Sequence, residues 1–148
     1  TGYPMKNEKG SLGFKIAKMP VINNLLLFIT PKSLVRKSLE DAYYDLNLLE
    51  ETSVTRYHEL LLCEGNRKAT LSLFKYPFTQ NTELIKKIEM PTLILWGKED
   101  GLISVENAYS FNKDIKNSKL VIFNKVGHVP NEEAPQKVAE AIYDFIWN

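Results

Sequence analysis

The chain has 148 residues, 44 % of them apolar, the size and composition of one globular domain or one domain with a small insertion; this excludes a disordered segment. Its 19 basic and 18 acidic residues leave a net charge of +1, so nothing electrostatic favours nucleic acid and no basic run marks a membrane surface. A lone cysteine, Cys63, excludes an intrachain disulfide framework and a cysteine-rich zinc site, and fits a reducing compartment.

Residues 1–29 read as loop, with one apolar patch, VINNLLLFI, that is too short to cross a bilayer and is broken by Asn23 and Asn24. No signal peptide is visible. The chain opens at Thr1 rather than Met, so we expect an N-terminal portion to be missing, and any anchor or signal it carried would be invisible here. The protein is separately expected to be cytoplasmic. From Thr30 to about Lys75 the pattern is helical. Thr30 can cap a helix with Pro31 at its first helical position, and Val35, Leu39, Ala42, Tyr43 and Leu46 share one face. A second helix starts at Thr52 or Ser53 with Val54, Tyr57 and Leu61 inward. Gly65-Asn66 ends or kinks it, and the pattern resumes through Ala69 and Leu73.

After Met90-Pro91 the texture changes. TLILW (92–96) is a continuous apolar run, as in a strand buried on both faces. Ser104 can cap a helix running to about Lys116, with Ala108, Phe111 and Ile115 inward. KLVIF (119–123) is a second buried strand. Pro135 opens a last helix with Val138, Ala141, Ile142 and Phe145 on one stripe. Strand, helix, strand, helix at this spacing predicts an α/β unit with parallel strands.

Parallel strands end on the same side, where ligands bind. Asp100 lies four residues past the first strand and His128 five past the second. If the strands are neighbours, their ends are about 5 Å apart. The two loops can then set a carboxylate against an imidazole, which fixes the ring's tautomer and stabilises its protonated form. Gly127 is expected to let the backbone turn tightly before the histidine. Glu99 reads as solvated, because adjacent side chains point apart. Glu133 is expected to bond loop backbone or to favour the N-terminus of the last helix. His58 reads as a helix packing residue and Trp96 as core. Tyr43, Tyr44, Phe74 and Phe78 are candidates to line an apolar substrate pocket, helix-to-helix packing being the equal alternative.

The segment MPTLILWGKEDGLIS…KLVIFNKVGHVPNEEAPQKVAEAIYDFI resembles the α/β-hydrolases. In that family the acid sits in a Gly-x-x-Asp loop after the strand, here Gly97 to Asp100. The catalytic histidine follows Gly and precedes a Glu and a Pro, here His128, Glu133 and Pro135. The resemblance is strong over 88–148. Over 1–87 it rests on position and texture, TGYP looking like the loop that enters the family's helical cap. It implies an α/β-hydrolase fold fragment: parallel strands with flanking helices in 88–148, and a helical cap in 1–87. The family's Gly-x-Ser-x-Gly nucleophile elbow does not occur here, since GSLG (10–13) has the wrong spacing and follows no strand.

The resemblance therefore implies the C-terminal part of a hydrolase whose other half supplies a serine and an oxyanion hole. His128 would be general base and acid and Asp100 its orienter, acting on a small, fairly apolar ester or related bond with no metal or organic cofactor. An aspartate nucleophile, as in dehalogenases and epoxide hydrolases, is the second enzyme reading. A non-catalytic ligand-binding module is the third, against which the retention of both Asp100 and His128 counts. A flavodoxin-like domain is disfavoured, because no glycine-rich phosphate loop appears. The 148-residue chain by itself is expected to be inactive. It is also expected to associate through the far edge of 92–96, with another copy or with the missing half.

Overall fold

The computed structural model describes Tyr3, Met19 and residues 25–75 and 82–147, the side chains of Phe74 and Lys75 excepted. These residues fall into two compact units. One holds 25–41 and 46–75 with Met19; the other holds 42–45 and 82–147 with Tyr3.

The first unit is helical. Helix α1 (Lys32–Ala42) buries Val35 and Leu39, four apart on one face. Thr30 does not cap it: its hydroxyl donates to the Leu26 carbonyl at 2.9 Å. The helix also stops four residues short of the predicted Leu46, which is 53 % exposed in a 3₁₀ turn, Leu46–Leu48. The reason lies outside the helix. The Ala42 carbonyl accepts from His128 N–H, and the Tyr44 and Asp45 amides donate to Glu133. Backbone groups that would continue the helix are satisfied by distant residues instead.

Helix α2 (Glu51–Leu62) places Val54 fully inside, with Tyr57 and Leu61 half-buried as expected. Glu51 in its first turn pairs with Lys32 at 2.7 Å and with Arg36. His58 packs as expected, its Nε2 donating to the Thr30 carbonyl at 2.8 Å. Gly65, at φ +80°, breaks the chain before α3 (Asn66–Lys75). The break resets the helical phase, so Leu71 is the buried one among the described side chains of α3, whereas the predicted Leu73 is 63 % exposed.

The second unit contains α4 (Thr82–Ile85), β1 (Thr92–Gly97), α5 (Glu106–Asp114), β2 (Ser118–Phe123), α6 (Pro130–Glu133) and α7 (Pro135–Trp147). The strands are parallel neighbours, in register from Thr92 opposite Ser118 to Gly97 opposite Phe123. Helix α5 lies against both strands and α7 against β1. The core comprises Ile94, Ala108, Ile115, Phe123 and Val126. Burial of β1 on both faces is not met: Leu93, Leu95 and Trp96 are half-buried, because among the described residues the sheet has two strands. On α7, Val138, Ala141 and Phe145 are half-buried, while Ile142 is 41 % exposed. The short helices α4 and α6 carry too few residues to show a period and were not foreseen. No helix among the described residues is long and apolar enough to cross a membrane.

Tyr3 stands edge-on to Phe111 at 4.8 Å and donates to Asp114 Oδ2 at 2.9 Å. Loss of water, then the Asp114 carboxylate, push its hydroxyl up to about 12. The stability this adds is complete below the unfolded value of about 10 and is lost as the pH rises through the folded one.

Two glycines separate backbone strain from lack of space. Gly65 has nothing near where a Cβ would stand, so Gly65→Ala should cost about 1 kcal/mol, the left-handed backbone alone. A Cβ on Gly97 would drive into the carbonyls of Val126 and Gly127, so Gly97→Ala should cost about 3 kcal/mol or more. Denaturant unfolding of the two variants checks this; equal losses would contradict the packing described for Gly97.

Candidate active site

Asp100 and His128 meet where the sheet ends. The chain leaves β1 through Lys98, whose amide donates to Phe123 O at 2.9 Å, so the two exit loops start side by side. The Asp100 side chain is 3 % exposed. Its Oδ1 accepts the amides of Leu102 and Ile103, both at 2.9 Å, which pins the carboxylate to its own turn. Its Oδ2 faces His128 Nδ1 at 2.8 Å. A carboxylate accepts, so Nδ1 carries the hydrogen and the lone pair resides on Nε2. The His128 side chain is 35 % exposed, so the ring reaches solvent while its partner does not.

Three further features hold the two loops together. Glu99 is not merely solvated: its amide donates to Val126 O and its Oε2 accepts Val126 N–H, both at 3.1 Å. Gly127 is not the tight turn. The left-handed residue after β2 is Lys125, at φ 59°, and among the described residues Gly65 is the glycine with positive φ. Gly127 is needed because a Cβ there would strike Ala42 O, Tyr44 N and Glu133 Oε1. Glu133 is 9 % exposed and takes the loop-backbone role left open for it: Oε1 accepts Gly127 N–H at 2.7 Å, and Oε2 accepts Tyr44 N–H at 2.8 Å and Asp45 N–H at 3.2 Å. A charged side chain this buried is accommodated because several N–H groups satisfy it.

Trp96 is half-buried rather than core; its Nε1 donates to Ile103 O at 3.3 Å, beside the turn that holds Asp100. Tyr43 is 6 % exposed and donates to Glu132 Oε2 at 2.6 Å. Tyr44 is 48 % exposed. The Phe74 side chain and the whole of Phe78 lie outside the described residues. Among the described residues no group of three or more His, Cys, Asp or Glu could hold a metal ion.

An acid fixed by its own turn thus faces a histidine at the carboxyl end of the neighbouring parallel strand. Residues 23–135 match the family described as alpha/beta hydrolase fold, more than half of the chain, and the protein belongs to that family. It is 30 % identical over 113 residues to an uncharacterised hydrolase, YugF, of Bacillus subtilis (strain 168), covering 76 % of this chain and 41 % of the relative. It is 36 % identical over 90 residues to a monoacylglycerol lipase, ABHD6, of Mus musculus, covering 61 % of this chain and 24 % of that protein. The fold matches that of a serine hydrolase involved in carbazole degradation, the CarC enzyme, with a TM-score of 0.73 at 24 % identity, over 78 % of this chain and 47 % of the other. The chain thus spans less than half the length of each.

Asp100→Asn should separate the two jobs of the carboxylate. The amide oxygen can still accept from Leu102 and Ile103, while its NH₂ forces the His128 hydrogen onto Nε2. Nitrogen-15 NMR of the imidazole should report the opposite tautomer, with the two amides still protected from exchange. Asp100→Ala should release both amides. An unchanged tautomer in Asp100→Asn would contradict the assigned pair.

Proposed function

We propose that this chain supplies the acid and the histidine of a Ser-His-Asp hydrolase that cleaves a small, fairly apolar ester. The observation that carries the reading is the 2.8 Å contact between a nearly buried Asp100 and a solvent-reaching His128. The likeness to a monoacylglycerol lipase supports an ester as the bond cleaved.

In this mechanism a serine from the rest of the enzyme attacks the ester carbonyl carbon and its proton passes to His128 Nε2. Asp100 stabilises the resulting imidazolium through Nδ1–H. That proton is then delivered to the alkoxy oxygen as the carbon–oxygen bond breaks, leaving an acyl-serine. Water attacks the acyl carbon, gives a proton to Nε2, and the acid departs as the serine recovers its hydrogen. Tyr43 and Tyr44 are proposed to contact the apolar part of the substrate. The edge of β1 away from β2 is proposed to receive a further strand of the core sheet, since β1 pairs with β2 alone among the described residues.

The test is hydrolysis of a short-chain p-nitrophenyl ester by the full-length enzyme. Asp100→Asn should keep its fold and lose about 10⁴ in turnover. His128→Ala should abolish turnover and leave binding of an apolar substrate analogue nearly unchanged. Wild-type turnover in Asp100→Asn, or unfolding of His128→Ala, would sink the assignment. The 148-residue chain alone should not turn over and should elute from size exclusion, with light scattering, as more than a monomer. A clean monomer with slow amide exchange along 92–96 would refute association through β1.

A further inference from the structure

We infer that Glu133 is a positioning residue for His128, acting as a clamp between the histidine loop and the strap 42–45. The histidine is held from behind by backbone. Its own amide donates to Ala42 O at 2.7 Å, and the amide of Gly127, one residue earlier, donates to Glu133 Oε1 at 2.7 Å. The strap that carries Ala42 is held by the same carboxylate, whose Oε2 takes the amides of Tyr44 and Asp45. One buried side chain therefore fixes both walls against which the His128 backbone is set. Gly127 adds the fit, because its missing Cβ leaves the room in which Ala42 O, Tyr44 N and Glu133 Oε1 converge.

The geometry requires a carboxylate. Its two oxygens face different segments, each accepting amide hydrogens, and neither oxygen carries a hydrogen of its own. In Glu133→Gln one of those oxygens becomes an NH₂ group facing an amide N–H. Either Gly127 or the Tyr44–Asp45 pair then loses its acceptor, and the loop relaxes on that side. The ring moves with the loop, because Asp100 is pinned independently by Leu102 and Ile103 and cannot follow.

This inference rests on Asp100 and His128 being the catalytic pair, so the test reads their contact rather than turnover. The 148-residue chain has two histidines, His58 and His128, which makes its imidazole spectrum assignable with one His58→Gln variant. In the 148-residue chain, the Nδ1–H proton of His128 should appear downfield and exchange slowly with water. Glu133→Gln should leave the amide spectrum of residues 25–41 and 46–75 unchanged and speed exchange of that proton about tenfold or more, the scale of losing one charge-assisted hydrogen bond. Val54→Ala serves as a control that lowers stability in the other unit; it should leave the proton untouched. An unchanged Nδ1–H in folded Glu133→Gln would overturn the inference. So would unfolding of both Glu133→Gln and Glu133→Ala, because the carboxylate would then hold the fold and not the histidine. A downfield proton missing from the wild type, or unaltered in Asp100→Asn, would instead overturn the pair itself.

Discussion

The site depends on two chain segments touching without side chains between them. The backbone of Gly97 lies directly against that of Val126 and Gly127, closer than any Cβ would allow. Neighbouring strands set their ends about 5 Å apart, but diverging exit loops would carry Asp100 and His128 out of reach. The glycine contact keeps the loops together for the few residues needed. The paired hydrogen bonds between Glu99 and Val126 then stitch the two loops together.

Carboxylates do the remaining joining. Asp100, Glu99 and Glu133 between them accept the amides of Leu102, Ile103, Val126, Gly127, Tyr44 and Asp45. Irregular loops leave backbone donors without ladder partners, and a buried donor left unpaired costs about 1–3 kcal/mol. An acid with two oxygens can answer several such donors on different segments at once. The amides that Asp100 Oδ1 accepts thus also fix the direction in which Asp100 Oδ2 faces the imidazole.

What could be read from the sequence follows from how local each signal is. The β1–α5–β2–α7 unit was legible because apolar runs and helical stripes repeat within a dozen residues. The Asp100–His128 pair was legible because parallel topology brings consecutive strand ends together. Glu99 and Glu133 were harder, since their partners lie 27 and up to 89 residues away in the chain. The end of α1 escaped for the same reason: Tyr43 and Leu46 continue its apolar period, but tertiary acceptors and donors claim the backbone first. Gly127 was identified for the wrong physical cause, because sequence shows that a residue lacks a Cβ and not whether conformation or space demands it. Phe74 and Phe78 have no described side chains against which to set their pocket assignment.

Trp96 turns this arrangement into something visible. Its indole nitrogen bonds the Ile103 carbonyl, in the turn whose amides hold Asp100. The other tryptophan, Trp147, is 71 % exposed and open to a water-borne quencher, whereas Trp96 is half-buried. With the surface indole dimmed, the residual emission comes largely from Trp96 in β1, and through its bond to Ile103 it is an optical gauge of whether the acid's turn is closed.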